Sequence, residues 1–512
     1  MSTCRYGDGT LYGASGVTYG AATVERPMTW IFAVDWDGDG SIDGPNDGKY
    51  MIAMETETGR QWPLNGSGDG FEPVMVGRGA VTLLNTDGRF DPFNLDSPLA
   101  GMILPGRKFL LQVQRESDRT RQPVMTGRIE DIRPIYGDVN KVKLTLVNAV
   151  ADLKQKNIRT TVQSSIRYDA AVAACLSAYG WADGSDVDTT VSEAMEYWWA
   201  SGGSAFDEIQ GIADAAMGMF CIAEDGMAVY KSRVSDDTPL MTITDAEIDW
   251  NYGVKTPTPW DSIRNNIRVY ARKRTAQTSV TLWSTSDKVL IPAGESREIW
   301  ADFSVNGEEA VASSITTPVE NTDYEANSAS DGSGSDLSAN INVVVSGFAR
   351  SAKLTVTNNG GTNAYMTTLQ LRGNAIVADK YTFVESQDTD SISAFGERRF
   401  EVKSDWLQDI NTARDEADIL KSRLAYQRQY PRFRVLLDQF DVSFGSRLFG
   451  LVLVDFVKNG ISGEYRFGYI KHRWIDELGY QVETEIYLEP NMLGNVSGTW
   501  VFPAVFGVTT VF

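Results

Sequence analysis

The sequence predicts a mainly β chain of several domains with an α+β module in its middle. Three observations carry this reading. Short segments of alternating polar and apolar residues crowd the opening and closing parts of the chain. Two helical periods lie between about 155 and 260. The stretch 275–385 is rich in Thr, Ser, Val and Asn and thin in helix formers. A length of 512 residues, 42% of them hydrophobic, suits three or four domains of ~100–200 residues, each able to bury a core.

Residues 1–27 are rich in Gly, Tyr and Thr without periodicity and read as an N-terminal arm. From 28, TWIFAVDW and GKYMIAMETETGRQW alternate about a tight Asp/Gly turn and read as a strand pair. GRGAVTLLNTDGRFDP, RKFLLQVQRES, PVMTGRIEDIRPIYG and VNKVKLTLVNAVADL follow at short spacing, which predicts an antiparallel barrel or sandwich over 28–150. In 151–265, YDAAVAACLSAYG has helical spacing and stops at Gly180. SAFDEIQGIADAAMGMF places Phe206, Ile209, Ile212 and Ala213 on one face behind a Ser204 cap, and CIAEDGMAVYKS turns at Asp225–Gly226. The Ser/Thr/Asn-rich part, 266–389, is expected to be a β-sandwich-like insert. In 390–490 a helix over 405–428, with Ile410, Ala413, Ala417, Leu420 and Leu424 on one side, precedes another run of strands. The tail, 491–512, ends in the apolar WVFPAVFGVTTVF. That segment is too short to span a bilayer and, if free, prone to aggregate, so it is expected to add a strand to a partner's sheet or to pack back on its own subunit.

Counting excludes several functions. The single histidine, His472, rules out a serine triad and any multi-histidine metal centre. There is no phosphate loop and no nucleophile elbow. Cys4, Cys175 and Cys221 form no CxxC pair, and the latter two sit in apolar surroundings, as core thiols do. A net charge of -21 argues against non-specific nucleic-acid binding and against docking on an anionic membrane. It suits an acidic wall past which DNA slides without sticking. No run of about 18 apolar residues is present, and the N-terminus lacks the pattern of a signal peptide.

VDWDGDGSID, residues 34–43, matches the first half of a calcium loop: Asp35, Asp37 and Asp39 alternate, Gly40 supplies a turn, and Ser41 and Asp43 follow. Hard oxygen donors at this spacing suit calcium. The twelfth loop position is Asn46, where an EF-hand carries a bidentate Glu, and the flanks read as strands, so the loop is not an EF-hand. A polar turn without a metal is the competing reading. No other cofactor is called for. Trp198–Trp199 is expected in packing rather than as a sugar platform. The basic run Ala271–Arg274 is read as a solvated strand end or an intersubunit salt bridge, with contact to DNA or a neighbouring acidic protein as the lesser alternative, and His472 as a surface or interface residue. Glu308–Glu309 does not by itself make a glycosidase pair.

One ordered series of segments resembles a known family. It comprises GAVTLLNTDGRFDPFNLDSPLAGMILPGRKFLL, MTGRIEDIRP, DEIQGIADAAMGMFCIAEDGMAVYKSR, LQLRGNAI, the long helix, and GEYRFGYIKHRWIDELGYQVETEIYLEP. The series spans about 28–490 and resembles the tail-hub (minor tail, baseplate-hub-like) proteins of long-tailed bacteriophages. The resemblance implies two tail-tube-like β-barrel domains, 28–150 and 390–490, the second with the long helix. It implies a homotrimeric structural virion protein at the distal tail tip and no enzyme. Three subunits would present six similar barrels to a six-fold tube. Implied partners are the tail tube or distal tail protein, the tape-measure protein, tip fibre or spike proteins, DNA passing through the lumen, and indirectly the host surface. Such a protein is assembled in the host cytoplasm, and acts in attachment and genome ejection. The alternatives are a receptor- or glycan-binding tip adhesin built on the 275–385 insert, and a tip hydrolase.

Overall fold

The computed structural model describes residues 18–19, 22–23, 28–42, 44–60, 74–190, 193–233, 235, 237–257, 262–436, 439–475 and 482–491. Most of the N-terminal arm and the apolar tail beyond 491 lie outside the described residues. The described chain is mainly β, with several sheets and several cores.

Six strands build the opening unit: β1 Met28–Val34, β2 Met51–Gly59, β3 Arg78–Leu84, β4 Lys108–Arg115, β5 Arg121–Ile135 and β6 Lys141–Asn148. They lie antiparallel in the order β1-β4-β5-β6-β3-β2. Alternation selects the inner face, as where Phe109, Leu111 and Val113 of β4 are fully buried. The alternating segments β1 and β2 were expected as a pair, but they end on opposite edges of the six. The connection is no tight turn. Trp36 and Asp47 are both buried, and the Trp36 Nε1–H donates to Asp47 Oδ2 at 3.0 Å, which folds 35–50 across the end of the unit.

The central module follows its sequence signals closely. Helix α1, Tyr168–Tyr179, stops at Gly180, whose φ of 86° is left-handed. Helix α2, Ala205–Ala215, is capped by Ser204, whose Oγ accepts from the Asp207 N–H at 3.1 Å. The hairpin β7 Met219–Ile222 and β8 Ala228–Lys231 turns at Asp225–Gly226. Beyond it, β9 covers Thr242–Thr244 and β10 covers Asn266–Ala271.

The insert is a sandwich. One sheet contains β11 Arg274–Thr285, β13 Glu308–Ile315 and β16 Ala364–Ala378, with β16 in the middle. The facing sheet holds β12 Ser296–Asp302, β14 Ile341–Gly347 and β15 Ser351–Asn358, with β15 in the middle. Leu282, Leu354, Val356 and Leu371 fill the space between. Strands β17 Thr382–Gln387 and β18 Arg399–Lys403 flank β10 in a separate sheet.

Helix α3 spans Ile410–Leu424, shorter at both ends than the expected 405–428, and starts at a cap where Asp409 accepts from the Thr412 N–H at 2.8 Å. Ala413, Ala417, Leu420 and Leu424 are buried, whereas Ile410 is 37% exposed and leaves the predicted face. The buried face joins the same core as α1, α2 and β10. The helix therefore belongs by packing to the centre of the molecule rather than to the strands that follow it.

The closing unit comprises β19 Arg432–Val435, α4 Phe440–Gly445, β20 Leu451–Phe456, β21 Ile461–Ile475 and β22 Val482–Pro490. Its ladder runs β9-β20-β21-β22-β19. Two separate barrels were expected, but among the described residues no ring of ladders closes. Instead, β21 is long enough to pair with β20 at its start and β2 at its end, so both units share one 11-stranded sheet. The nearest approach to closure is a pair of isolated bridges, Ile248–Val435 and Lys255–Arg432, which return the chain after β9 to β19.

Candidate functional site

Of the five residues expected to hold calcium, Asp35, Asp37 and Asp39 converge, each offering a carboxylate oxygen within 4.8 Å of the others. Asp43 lies outside the described residues. Ser41 enters through its backbone, its N–H donating to Asp39 Oδ1 at 2.7 Å. Asp35 is buried at the base of the loop and accepts from the N–H groups of Gly38 and Gly40 at 2.7 and 3.1 Å. Burial pushes its carboxyl up. These two donors, a hydrogen bond with Asp37 and the Arg107 guanidinium outweigh that and hold it below the ordinary carboxylate range. Arg107 lies so close that a Cβ on Gly38 would meet its Nη1 at 1.5 Å.

Asn46, at the twelfth position, faces elsewhere. Its Oδ1 accepts from the Phe32 and Gly48 N–H groups at 3.0 and 2.8 Å, and its Nδ2 donates to the Trp30 carbonyl at 3.2 Å. The donor chemistry fits a hard cation only in part. Three carboxylates converge where calcium takes six to eight oxygens. The geometry of the loop is accounted for by its own donors.

A more extensive arrangement emerges from the sheet. In the opening unit β3, β4, β5 and β6 pair as β3-β6-β5-β4. In the closing unit β19, β20, β21 and β22 pair as β19-β22-β21-β20. In both, three consecutive strands meander and the first of the four returns beside the last, with every neighbour antiparallel. The third strand has 15 residues in each set. The ladder between third and fourth strands carries one register shift in each, at Ile129/Asp131 and at Phe467/Tyr469. The two sets are thus the same four-stranded motif built twice.

The seam between them is tight. Gly59 of β2 has φ of 130°, and a Cβ there would meet the Gly468 carbonyl oxygen at 2.4 Å. Arg60 pairs with Glu489 at 2.9 Å with both side chains buried, and the guanidinium lies over Phe449. Tyr469 donates to Glu57 at 3.0 Å, and Lys471 pairs with Glu55. The first unit's core is completed by the second: Trp30 packs against Phe444 and Trp474 at centroid distances of 6.0 and 5.7 Å, and Val482 joins them. The β7–β8 hairpin clamps both units. The Glu224 carbonyl accepts from Thr126 Oγ1 at 3.0 Å, while its carboxylate accepts from the Leu448 N–H at 3.1 Å.

His472 is buried in this seam rather than on the surface. It stands between Thr56 and Thr484 in register, stacks on Phe444, and its Nδ1 lies 3.0 Å from Thr484 Oγ1. Burial and the nearby Arg447 push its imidazole down to about 3, so it is neutral near pH 7.

Trp198 and Trp199 are core residues, as expected. Arg274 of the basic run is not a solvated strand end: it is buried, with its guanidinium 4.2 Å from the Trp199 ring and 4.6 Å from that of Trp406. Cys175 and Cys221 are buried thiols that burial pushes up, far from the range of a reactive thiolate. None of the described helices is long and apolar enough to cross a membrane.

No family model and no curated protein matches the chain. Among solved structures it is similar to the 43 kDa tail protein of prophage MuSo2 from Shewanella oneidensis, with a TM-score of 0.49 and 11% identity over 90% of this chain and 98% of that one. It is similar also to a tail protein from Neisseria meningitidis, with a TM-score of 0.49 and 10% identity over 90% and 97%. A third is a prophage tail protein from Listeria monocytogenes, with a TM-score of 0.40 and 9% identity over 90% and 95%. Similar solved structures also include a component of the type VI secretion system from E. coli, with a TM-score of 0.41 and 7% identity over 91% of this chain and 78% of that one.

Proposed function

We propose that this chain is a non-catalytic structural protein of a bacteriophage tail tip. Three copies form a ring at the distal end of the tail tube, close its channel until genome ejection, and carry the fibre or receptor-binding parts. One observation supports this above the others: the same four-stranded motif occurs twice in one sheet. A subunit that presents two similar units lets a three-fold ring offer six to a six-fold neighbour, through head-to-tail contacts that close on themselves. The interlocked seam supports the same reading. Shared core residues and one buried ion pair, Arg60–Glu489, fix the spacing of the two units, as matching a rigid tube requires. The net charge of -21 suits a lumen that lets DNA pass without gripping it.

The reading is tested by the mass of the purified chain in solution and by electron microscopy of assembled tails. A three-fold ring at the distal end of the tube is expected. A chain that stays monomeric at every concentration, and that maps elsewhere in the particle, refutes it.

A further inference from the structure

On the outer face of the β12-β15-β14 sheet, Trp300 is 56% exposed and Phe348 is 38% exposed. Their rings stack with centroids 5.9 Å apart and planes 15° apart. Two large rings held against each other in solvent give up burial that their size would otherwise favour. Polar groups flank them. Lys353 stands opposite Trp300 in register, Ser346 stands opposite Lys353, and Lys353 pairs with Glu298 at 2.8 Å.

Phe348 also forms a wall of a cleft of about 510 Å³ at the open corner of the sandwich, within the size range of small-ligand sites. The hydroxyl-bearing residues Thr161, Ser313, Ser314, Thr316 and Thr317 line it, together with apolar residues; the Ser313 hydroxyl donates to the Asn374 carbonyl at 3.2 Å, and no lining residue is charged. The walls are fixed. The Ala312 N–H donates to the Ala349 carbonyl at 2.8 Å, and a Cβ on Gly347 would meet Ile315 Cδ1 at 2.5 Å.

We propose that this face binds a neutral oligosaccharide, with one pyranose stacked on the Trp300–Phe348 rings and the next sugar in the hydroxyl-lined cleft. The chemistry of each part selects this ligand. A pyranose has an apolar C–H face that covers an aromatic ring and a hydroxyl rim that exchanges hydrogen bonds with serine and threonine. An ionic ligand would lose its hydration in the cleft without a charged partner, which disfavours it. An apolar peptide would offer no partner to the serine and threonine residues that line the cleft beyond Ser313. The site goes beyond the tail-ring reading and stands independently of it, because it uses only residues of one subunit away from the shared sheet.

The test titrates the full chain with maltohexaose, cellohexaose and chitohexaose, followed by tryptophan fluorescence and by saturation transfer to the sugar protons. At least one is expected to bind with a Kd on the order of 1 mM or tighter. The double variant Trp300→Ala/Phe348→Ala should weaken binding about tenfold or more with an unchanged thermal midpoint, since both side chains are exposed. Ser314→Lys, which places a charged chain at the cleft from an exposed position, should also weaken it and covers the case in which the double variant misfolds. The proposal is overturned if none of the three sugars binds, or if binding survives in the folded variants. It is equally overturned if the sugars fail while a synthetic peptide of residues 499–512 binds the same face.

Discussion

The buried histidine gives a sharp quantitative prediction. His472 is flanked by Thr56 and Thr484, covered by Phe444, and has Arg447 as its nearby charge. Its imidazole is held down to about 3 in the folded chain, against an ordinary value of 6.5. The unfolded chain therefore takes up a proton first as the pH falls. The stability tied to the neutral ring is complete above 6.5 and is lost progressively between 6.5 and about 3. At pH 5 the gap is ~1.5 units, and at about 1.4 kcal/mol per unit the seam loses about 2 kcal/mol relative to pH 7. Because this is the only histidine in the sequence, selective labelling gives one ring signal, and its titration is read without assignment. That signal should not move between pH 7.5 and 5. In parallel, the difference in urea stability between wild type and His472→Gln should shrink by about 2 kcal/mol from pH 7 to pH 5, with the carboxylates common to both chains cancelling. A ring midpoint near 6.5, or a stability difference that is flat with pH, refutes the seam as drawn.

Two further predictions concern the same interior. Glu416 is buried on α3, and burial pushes its carboxyl well above the ordinary value despite Arg233 nearby. Its contribution is favourable while it is protonated and is lost as the pH rises. Glu416→Gln should therefore stabilise the chain more at pH 8 than near pH 4, as read from unfolding curves at the two pH values, and an equal effect at both refutes the burial of a protonated carboxyl. Gly59→Ala should destabilise by about 2–3 kcal/mol, because its Cβ would press on the β21 backbone. Gly463→Ala, with φ of 137° and open space around it, is the control for backbone strain alone, and equal effects would mean that the seam is loose.

Local signals were legible in the sequence because their physics is local. The Gly180 stop, the Ser204 cap and the Asp225–Gly226 turn each depend on a few adjacent residues, and each occurs where the pattern places it. Strand pairing was not legible at this level. β1 and β2 alternate as a hairpin would, yet β2 finds a partner 412 positions away, as the Tyr469–Glu57 bond marks. A period of two says which side is buried and nothing about which strand lies alongside. The same limit hid Arg274, whose apolar partners Trp199 and Trp406 come from distant segments. The aspartate loop was legible as a cluster. The nearness of Arg107 and the bonding of Asn46 to the β1 backbone depend on how the loop lies against the unit. The hydroxyl-lined cleft draws on residues near 161, 315 and 348 and carries no motif.

Phe444, Trp474 and Val482 complete the core that begins at Trp30. During synthesis at about 5–20 residues per second, the first unit leaves the ribosome long before those side chains exist. Its apolar interior must wait, partly open, for the end of the chain. A product truncated before Phe444 therefore cannot complete this core, and the first unit's stability depends on residues made last.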